Sequence, residues 1–272
     1  MTASSVGGIS RRDRHTAVAT AARCGLATRG VLYVLVGVLA LRIAFGRAEK
    51  SADRSGALAE LAGHPFGRVL VWAVGAGLVA MALWRLSEAV FGAPGRDGRK
   101  LTKRVASAAR AGFYAVGAFS ALSFAAGQGG GRSGDEESRD VTAMVLAVPA
   151  GQWLTGAAGV AVGVGGVVIA VQAARRTFRK EMDTGGLPAA GRRAVDVLGV
   201  AGGIARGAVF AVAGAFLVHA AVTYDPGKAK GVDDTLRSFA QTPAGPWLLV
   251  AVATGLLLFG VFSWAMAAWR RV

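Results

Sequence analysis

Three arginines carry the strongest chemical signal in this chain. Arg29, Arg110 and Arg206 each stand four residues before an aromatic ring, Tyr33, Tyr114 or Phe210, inside otherwise apolar stretches. A guanidinium is always charged and presents five donors in a planar fork, which suits phosphate and carboxylate oxygens. Three of them at equivalent positions could grip an anion such as a phosphate, a carboxylate or a lipid head group, and a charge within a membrane span is a functional-site candidate. A plainer structural role competes. Side chains lean toward a helix N-terminus, so each arginine can snorkel outward to the head groups and stack on the aromatic one turn along. The expectation is this outward anchoring.

The remaining polar residues offer less. Arg85 and Glu88 lie at i, i+3 and predict a boundary ion pair. Gln172 and Met266 fill the position of Glu88 in later parts of the chain. Arg42 and His219 share a repeat position that Ser123 fills once, and read as polar caps rather than a proton relay. Cys24 is the single cysteine, so no intramolecular disulfide and no Cys-x-x-Cys motif exists. His15, His64 and His219 are scattered, which argues against a histidine metal site. There is no His-Glu-x-x-His, no paired intramembrane Asp and no Ser/His pair. No catalysis and no cofactor are expected. The glycine-rich stretch 127–134 (GQGGGRSG) lacks the phosphate-loop pattern and reads as a flexible loop.

The elements that position these residues are membrane helices. The 272 residues are 53% hydrophobic and only 17% charged, with mean hydropathy +0.47, whereas a soluble domain carries about 25% charged residues. Stretches free of Asp, Glu, Lys and Arg run over 141–174, 238–269, 111–131, 207–224 and 69–84. About 20 apolar residues cross a bilayer as a helix. Six spans follow, near 26–45, 67–90, 105–126, 152–174, 197–221 and 246–269. No cleavable signal peptide is evident, because no apolar core follows Arg11, Arg12 and Arg14 before a small-residue cleavage site.

Charge sorts the loops. Segments 1–29, 91–104, 175–194 and 270–272 hold eighteen Lys and Arg against four Asp and Glu. Segments 46–67, 127–152 and 222–246 hold eight against ten. The positive-inside rule puts both termini in the cytoplasm of a plasma-membrane protein. The net charge of +15 then faces anionic lipid head groups, not nucleic acid, since no basic face sits on a soluble module.

The six spans are three copies of one hairpin. Arg29-Gly30-x-x-Tyr33 recurs as Arg110-Ala111-x-x-Tyr114 and Arg206-Gly207-x-x-Phe210. Each second span opens on Pro65-Phe66-Gly67, Pro149-Ala150-Gly151 or Pro243-Ala244-Gly245. Such internal symmetry defines the architecture. After a cytoplasmic segment 1–21, the repeats are 22–92, 93–176 and 177–272, parallel in orientation, with a pseudo-threefold axis along the membrane normal as the natural arrangement. The fold class is all-α, a polytopic membrane protein of six transmembrane helices. The motif and its threefold recurrence resemble the bacterial membrane family catalogued as domain of unknown function 1206, over residues 22–271. Membership implies an integral membrane protein of three paired-helix repeats and no assigned activity. The chain departs from that motif at Ala111 and Phe210.

Glycines predict the packing. Gly159 and Gly163 on the fourth span, and Gly199, Gly203 and Gly207 on the fifth, form small-residue faces that let backbones approach in lipid. Leu58 and Leu61 before Pro65, like Leu236 and Phe239 before Pro243, predict short amphipathic helices at the outer interface. Copy two has Thr142 and Val145 there and should form a poorer one. Trp72, Trp84, Trp153, Trp247 and Trp269 read as interfacial anchors. This composition favours a non-catalytic membrane scaffold or accessory subunit, with a membrane-protein partner or a second copy of the chain. The alternative is a small transporter, channel or anion- or lipid-head-group-binding protein that uses the three arginines.

Overall fold

The computed structural model describes residues 11–46, 51–92, 100–127, 133–183, 185, 187–242 and 244–270. Six helices are long and apolar enough to span a membrane: α1 (Arg11–Ala44), α3 (Gly67–Phe91), α4 (Leu101–Ala125), α6 (Gly151–Ala174), α7 (Ala189–Thr223) and α9 (Gly245–Trp269). Three shorter helices, α2 (Arg54–Ala62), α5 (Gly134–Leu146) and α8 (Val232–Ala240), each precede the second span of a repeat. This is an all-α multi-pass membrane protein built from three helical hairpins.

The short helices correct one expectation. The copy-two helix α5 is the longest of the three, not the poorest. Ser133 caps it, and a capping box with Glu136 satisfies two N-terminal groups reciprocally. That local signal outweighs the loss of a leucine at Thr142. Gly134 belongs to this helix rather than to a loop. The expected loop residues 128–132 and Pro243 lie outside the described residues.

The turn into each second span is steric. Phe66 and Ala150 adopt left-handed backbone, φ 62° and 63°. The glycine that follows sits against a carbonyl at the end of the short helix. A Cβ on Gly67, Gly151 or Gly245 would collide with the oxygen of Leu61, Val145 or Ala240. One small residue per repeat lets the chain reverse within hydrogen-bonding distance of its own last turn.

The repeats interlock cyclically. The most extensive helix contacts join the second span of one repeat to the first span of the next: α3 to α4, α6 to α7, and α9 back to α1. Within repeats, α1 packs on α3 and α7 on α9. Only in the copy-two hairpin do the two spans, α4 and α6, not pack extensively on each other among the described residues. The spans form an arc, α4–α3–α1–α9–α7–α6, with one opening. The contact of α6 with α7 is backbone on backbone. A Cβ on Gly159 would lie 2.7 Å from Val218 N, and one on Gly166 or Gly207 would lie 2.6 Å from the carbonyl oxygen of the other.

The short helices cap one end of the bundle as a ring. Asp53 accepts the N–H of Gly134 at 2.6 Å, Asp135 that of Asp234 at 3.0 Å, and Asp233 that of Ala52 at 2.7 Å. Each repeat thus supplies a carboxylate to a backbone donor of the next. Arg139 pairs with Asp234 and Arg237 with Asp233, the latter at 2.8 Å.

Candidate functional site

The other end of the bundle holds the arginines. Arg29 on α1 is 7% exposed. Its Nε donates to Ser263 Oγ at 3.1 Å, a terminal nitrogen lies 3.6 Å from Met266 Sδ, and the guanidinium carbon sits 5.0 Å from the centre of the Phe259 ring. The close approach of α1 and α9 forces this. A Cβ on Gly260 would lie 2.8 Å from Gly30 O, so the two backbones nearly touch beside Arg29. Ser263 Oγ also donates to Phe259 O at 2.9 Å, which aims its lone pair at the arginine.

Arg206 on α7 reaches the same ring. Its Nε donates to Tyr33 Oη at 2.8 Å. Its guanidinium carbon lies 5.0 Å from the Phe259 centroid, 5.3 Å from that of Phe210 and 5.7 Å from that of Tyr33. Both guanidinium carbons are 5.0 Å from one centroid, so they stand no more than about 10 Å apart. Tyr33 meets Phe259 edge to face at 4.8 Å. Tyr114 on α4 is buried and feels the charge of both arginines.

These contacts correct the outward-anchoring expectation for two of the three arginines. Arg29 and Arg206 turn into the bundle, where Ser263 and Phe259 of the third repeat meet Arg29, and Tyr33 of the first repeat with Phe210 and Phe259 of its own meets Arg206. The stacking partners also cross repeats: Tyr33 serves Arg206, not Arg29, while Phe210 does serve the arginine one turn before it. Arg110 alone stays exposed, on the edge of α4, within the fields of Arg85, Arg206 and Glu88.

A second layer lies beside the first. Arg85 and Glu88 form the expected ion pair at 2.6 Å, but both are buried. Ser107 donates to Glu88 at 3.3 Å. Arg85 Nε is buried without a hydrogen-bond partner among the described residues. Arg85 and Arg270 both lie on Trp84, at 4.2 and 4.8 Å. Trp84 is therefore a buried platform, unlike the exposed Trp72, Trp153, Trp247 and Trp269. Arg270 pairs with Glu181 at 2.8 Å, and burial pulls it down to about 10. Five guanidinium groups thus gather near two carboxylates.

Other sequence candidates do not join this cluster. Arg42 pairs with Glu60 at 3.2 Å, and His219 and Gln172 are exposed. Gly159, Gly163, Gly203 and Gly207 lie along the α6–α7 contact, whereas Gly199 makes room for Phe178 and Phe262. Phe259 and Ser263 were invisible as site residues, since nothing in an apolar run marks which members face a charge on another helix, and Met266 stood out only as the residue at the repeat position of Glu88. The carboxylates of Asp135, Asp233 and Asp234 come within 4.8 Å of one another, a meeting of two repeats that spacing within either does not reveal.

The family model Domain of Unknown Function (DUF1206) matches residues 24–92, 105–176 and 201–270. A Bacillus subtilis (strain 168) protein named "Uncharacterized protein YxxB" is 35% identical over 243 residues, covering 89% of this chain and 87% of that protein. No solved structure matches. The matched segments coincide with the three hairpins whose first spans carry Arg29, Arg110 and Arg206, and the chain belongs to the DUF1206 family.

Proposed function

We propose that this protein is a non-catalytic plasma-membrane protein, with cytoplasmic termini, that binds an anionic group at the Arg29–Arg206 cluster in the cytoplasmic half of the bilayer. The observation that carries this reading is the shared Phe259 ring between two largely desolvated guanidinium groups, neither hydrogen-bonded to a carboxylate among the described residues. At about 10 Å and an effective dielectric near 20, their mutual repulsion is about 2 kcal/mol. Cation–π contacts offset part of this, and a phosphate or carboxylate would reverse its sign. Arg85, with a buried unpartnered Nε, adds a third donor to the same field. The opening between α4 and α6 supplies a route from the membrane, and the exposed Arg110 stands on its α4 edge.

The test is thermal stabilisation of the purified protein by inorganic phosphate and by phosphatidylglycerol micelles. Wild type should gain stability from at least one, and Arg29→Gln with Arg206→Gln should gain less than wild type from that same anion. Equal stabilisation of both proteins by every anion would sink the reading.

A second reading, a scaffold or accessory subunit, rests on α6. It is the least buried span, with Val160, Val164, Val167 and Val171 exposed and open space around Gly165. A glycine on an exposed span favours close helix approach in lipid, and a second copy or another membrane protein would cover Gly165 and the valines around it. Gly165→Leu should weaken self-association measured by single-molecule photobleaching in nanodiscs. A mass and stoichiometry unchanged by the substitution would remove that support.

A further inference from the structure

A second basic site lies outside the arginine cluster, where the chain passes from α6 to α7. Its construction starts at Gly199. A Cβ there would stand 2.5 Å from Phe178, so the glycine lets that ring dock against α7 and meet Phe262 edge to face at 4.9 Å. Phe178 belongs to a short 3-10 turn, Thr177–Glu181. Docking this turn brings Arg179 onto Asp196 of α7, with Nε donating at 2.6 Å in a two-point pair. The entry to the turn is strained, because Arg176 takes left-handed backbone, φ 53°.

The result is a groove of 690 Å³ between the turn and the start of α7. One end is basic. Arg176, Arg192 and Arg193 line it, and Asp196, already engaged by Arg179, is its one acidic member. Arg192 donates to Leu187 O at 2.9 Å. Arg176 lies within the field of Asp196, and Arg193 makes no side-chain hydrogen bond or ion pair among the described residues. The other end is apolar, with Val197, Val200 and Ile204 along one side of α7, and Val197 and Ile204 are exposed. At 1.5 Å per residue the 35-residue α7 is about 52 Å long, well beyond a bilayer core of about 30 Å. The basic turn therefore projects to the head-group level while Ile204 lies deeper.

We propose that this groove is a binding site for one anionic phospholipid, with its phosphate on Arg176, Arg192 and Arg193 and an acyl chain along Val197, Val200 and Ile204. Charge complementarity and the change from basic to apolar along one groove select this occupant over a zwitterionic lipid or a free anion. Basic pockets at the cytoplasmic ends of spans commonly hold such head groups. The lipid would bridge the 3-10 turn to α7 and relieve the repulsion among three guanidinium groups.

The experiment is native mass spectrometry of the full chain released from nanodiscs of equimolar phosphatidylglycerol and phosphatidylcholine. It is run in wild type and in an Arg29→Gln, Arg206→Gln background, so that the inner cluster does not contribute. Both should retain phosphatidylglycerol preferentially. Each of Arg176→Gln, Arg192→Gln and Arg193→Gln should lower retention about fivefold, and the triple variant should show no preference between the lipids. Should the triple variant fail to fold, Arg193→Gln alone decides, since its exposed side chain holds nothing else among the described residues. Retention unchanged by these substitutions overturns the proposal. So does equal retention of both lipids by wild type, or full displacement of phosphatidylglycerol by inorganic phosphate.

Discussion

Phe259 concentrates more of the site than any charged residue. Its ring lies beneath two cations and meets the edge of Tyr33. Phe259→Leu keeps the apolar volume but removes both cation–π contacts. It should cost about 1 to 3 kcal/mol, seen as a lower melting temperature in detergent, while Phe259→Tyr should stay near wild type. Ser263→Ala leaves Arg29 Nε without its acceptor, and a buried donor stranded this way costs about 1 to 3 kcal/mol. At the other end of the bundle, burial first and then the Asp234 and Asp233 carboxylates push the Asp135 carboxyl up to about 6. Asp53 adds to the same field, and Arg139 and Arg237 neutralise the two α8 acids. A carboxyl raised on folding stabilises the protein most below its ordinary value near 4, and that contribution is lost as pH rises through 6. The melting temperature should therefore fall between about pH 4 and pH 6. Asp135→Asn should flatten that fall and raise the melting temperature at pH 7.5, whereas a parallel pH dependence in both proteins would contradict the assignment.

Among the elements, α6 and α7 meet through several glycines, as α1 and α9 do at Gly30 and Gly260. A Cβ on Gly214 would collide with the backbone of Gly163, while Gly165 on the same helix α6 faces open space. Gly214→Leu should lose at least about 1 to 3 kcal/mol through overpacking, and Gly165→Leu should leave monomer stability unchanged in thermal melts. The six spans were legible because long charge-free runs recur along the chain and the Arg-x-x-x-aromatic spacing repeats three times. The direction of Arg29 and Arg206 was not legible, since that of Arg29 depends on Phe259 and Ser263, 230 or more residues away, and that of Arg206 on Tyr33, 173 residues away, each in a different repeat. The length of α5 was available in Ser133 and Glu136 but was masked by reading only apolar spacing, where Thr142 breaks the pattern.

The whole molecule is an arc with cyclic contacts and one unclosed hairpin. Spin labels at the exposed Phe119 of α4 and Val164 of α6 should report a longer and broader distance than labels placed across α3 and α4. A narrow, short α4–α6 distance in lipid would mean the opening is closed in the membrane. The acidic ring at the capped end also has a consequence in time. Ala52 emerges from the ribosome roughly 180 residues before Asp233, its acceptor, and α1 precedes α9 by the length of the chain. A nascent protein holding two repeats thus has its first short helix linked to the second through Asp53 and Gly134, but nothing to receive Ala52. Insertion of the final hairpin does more than add a third of the structure. It is the event that joins the last repeat back to the first through α9 on α1 and Asp233 on Ala52, so a truncation after repeat two should remain in the membrane yet be cleared by quality control as an unfinished chain.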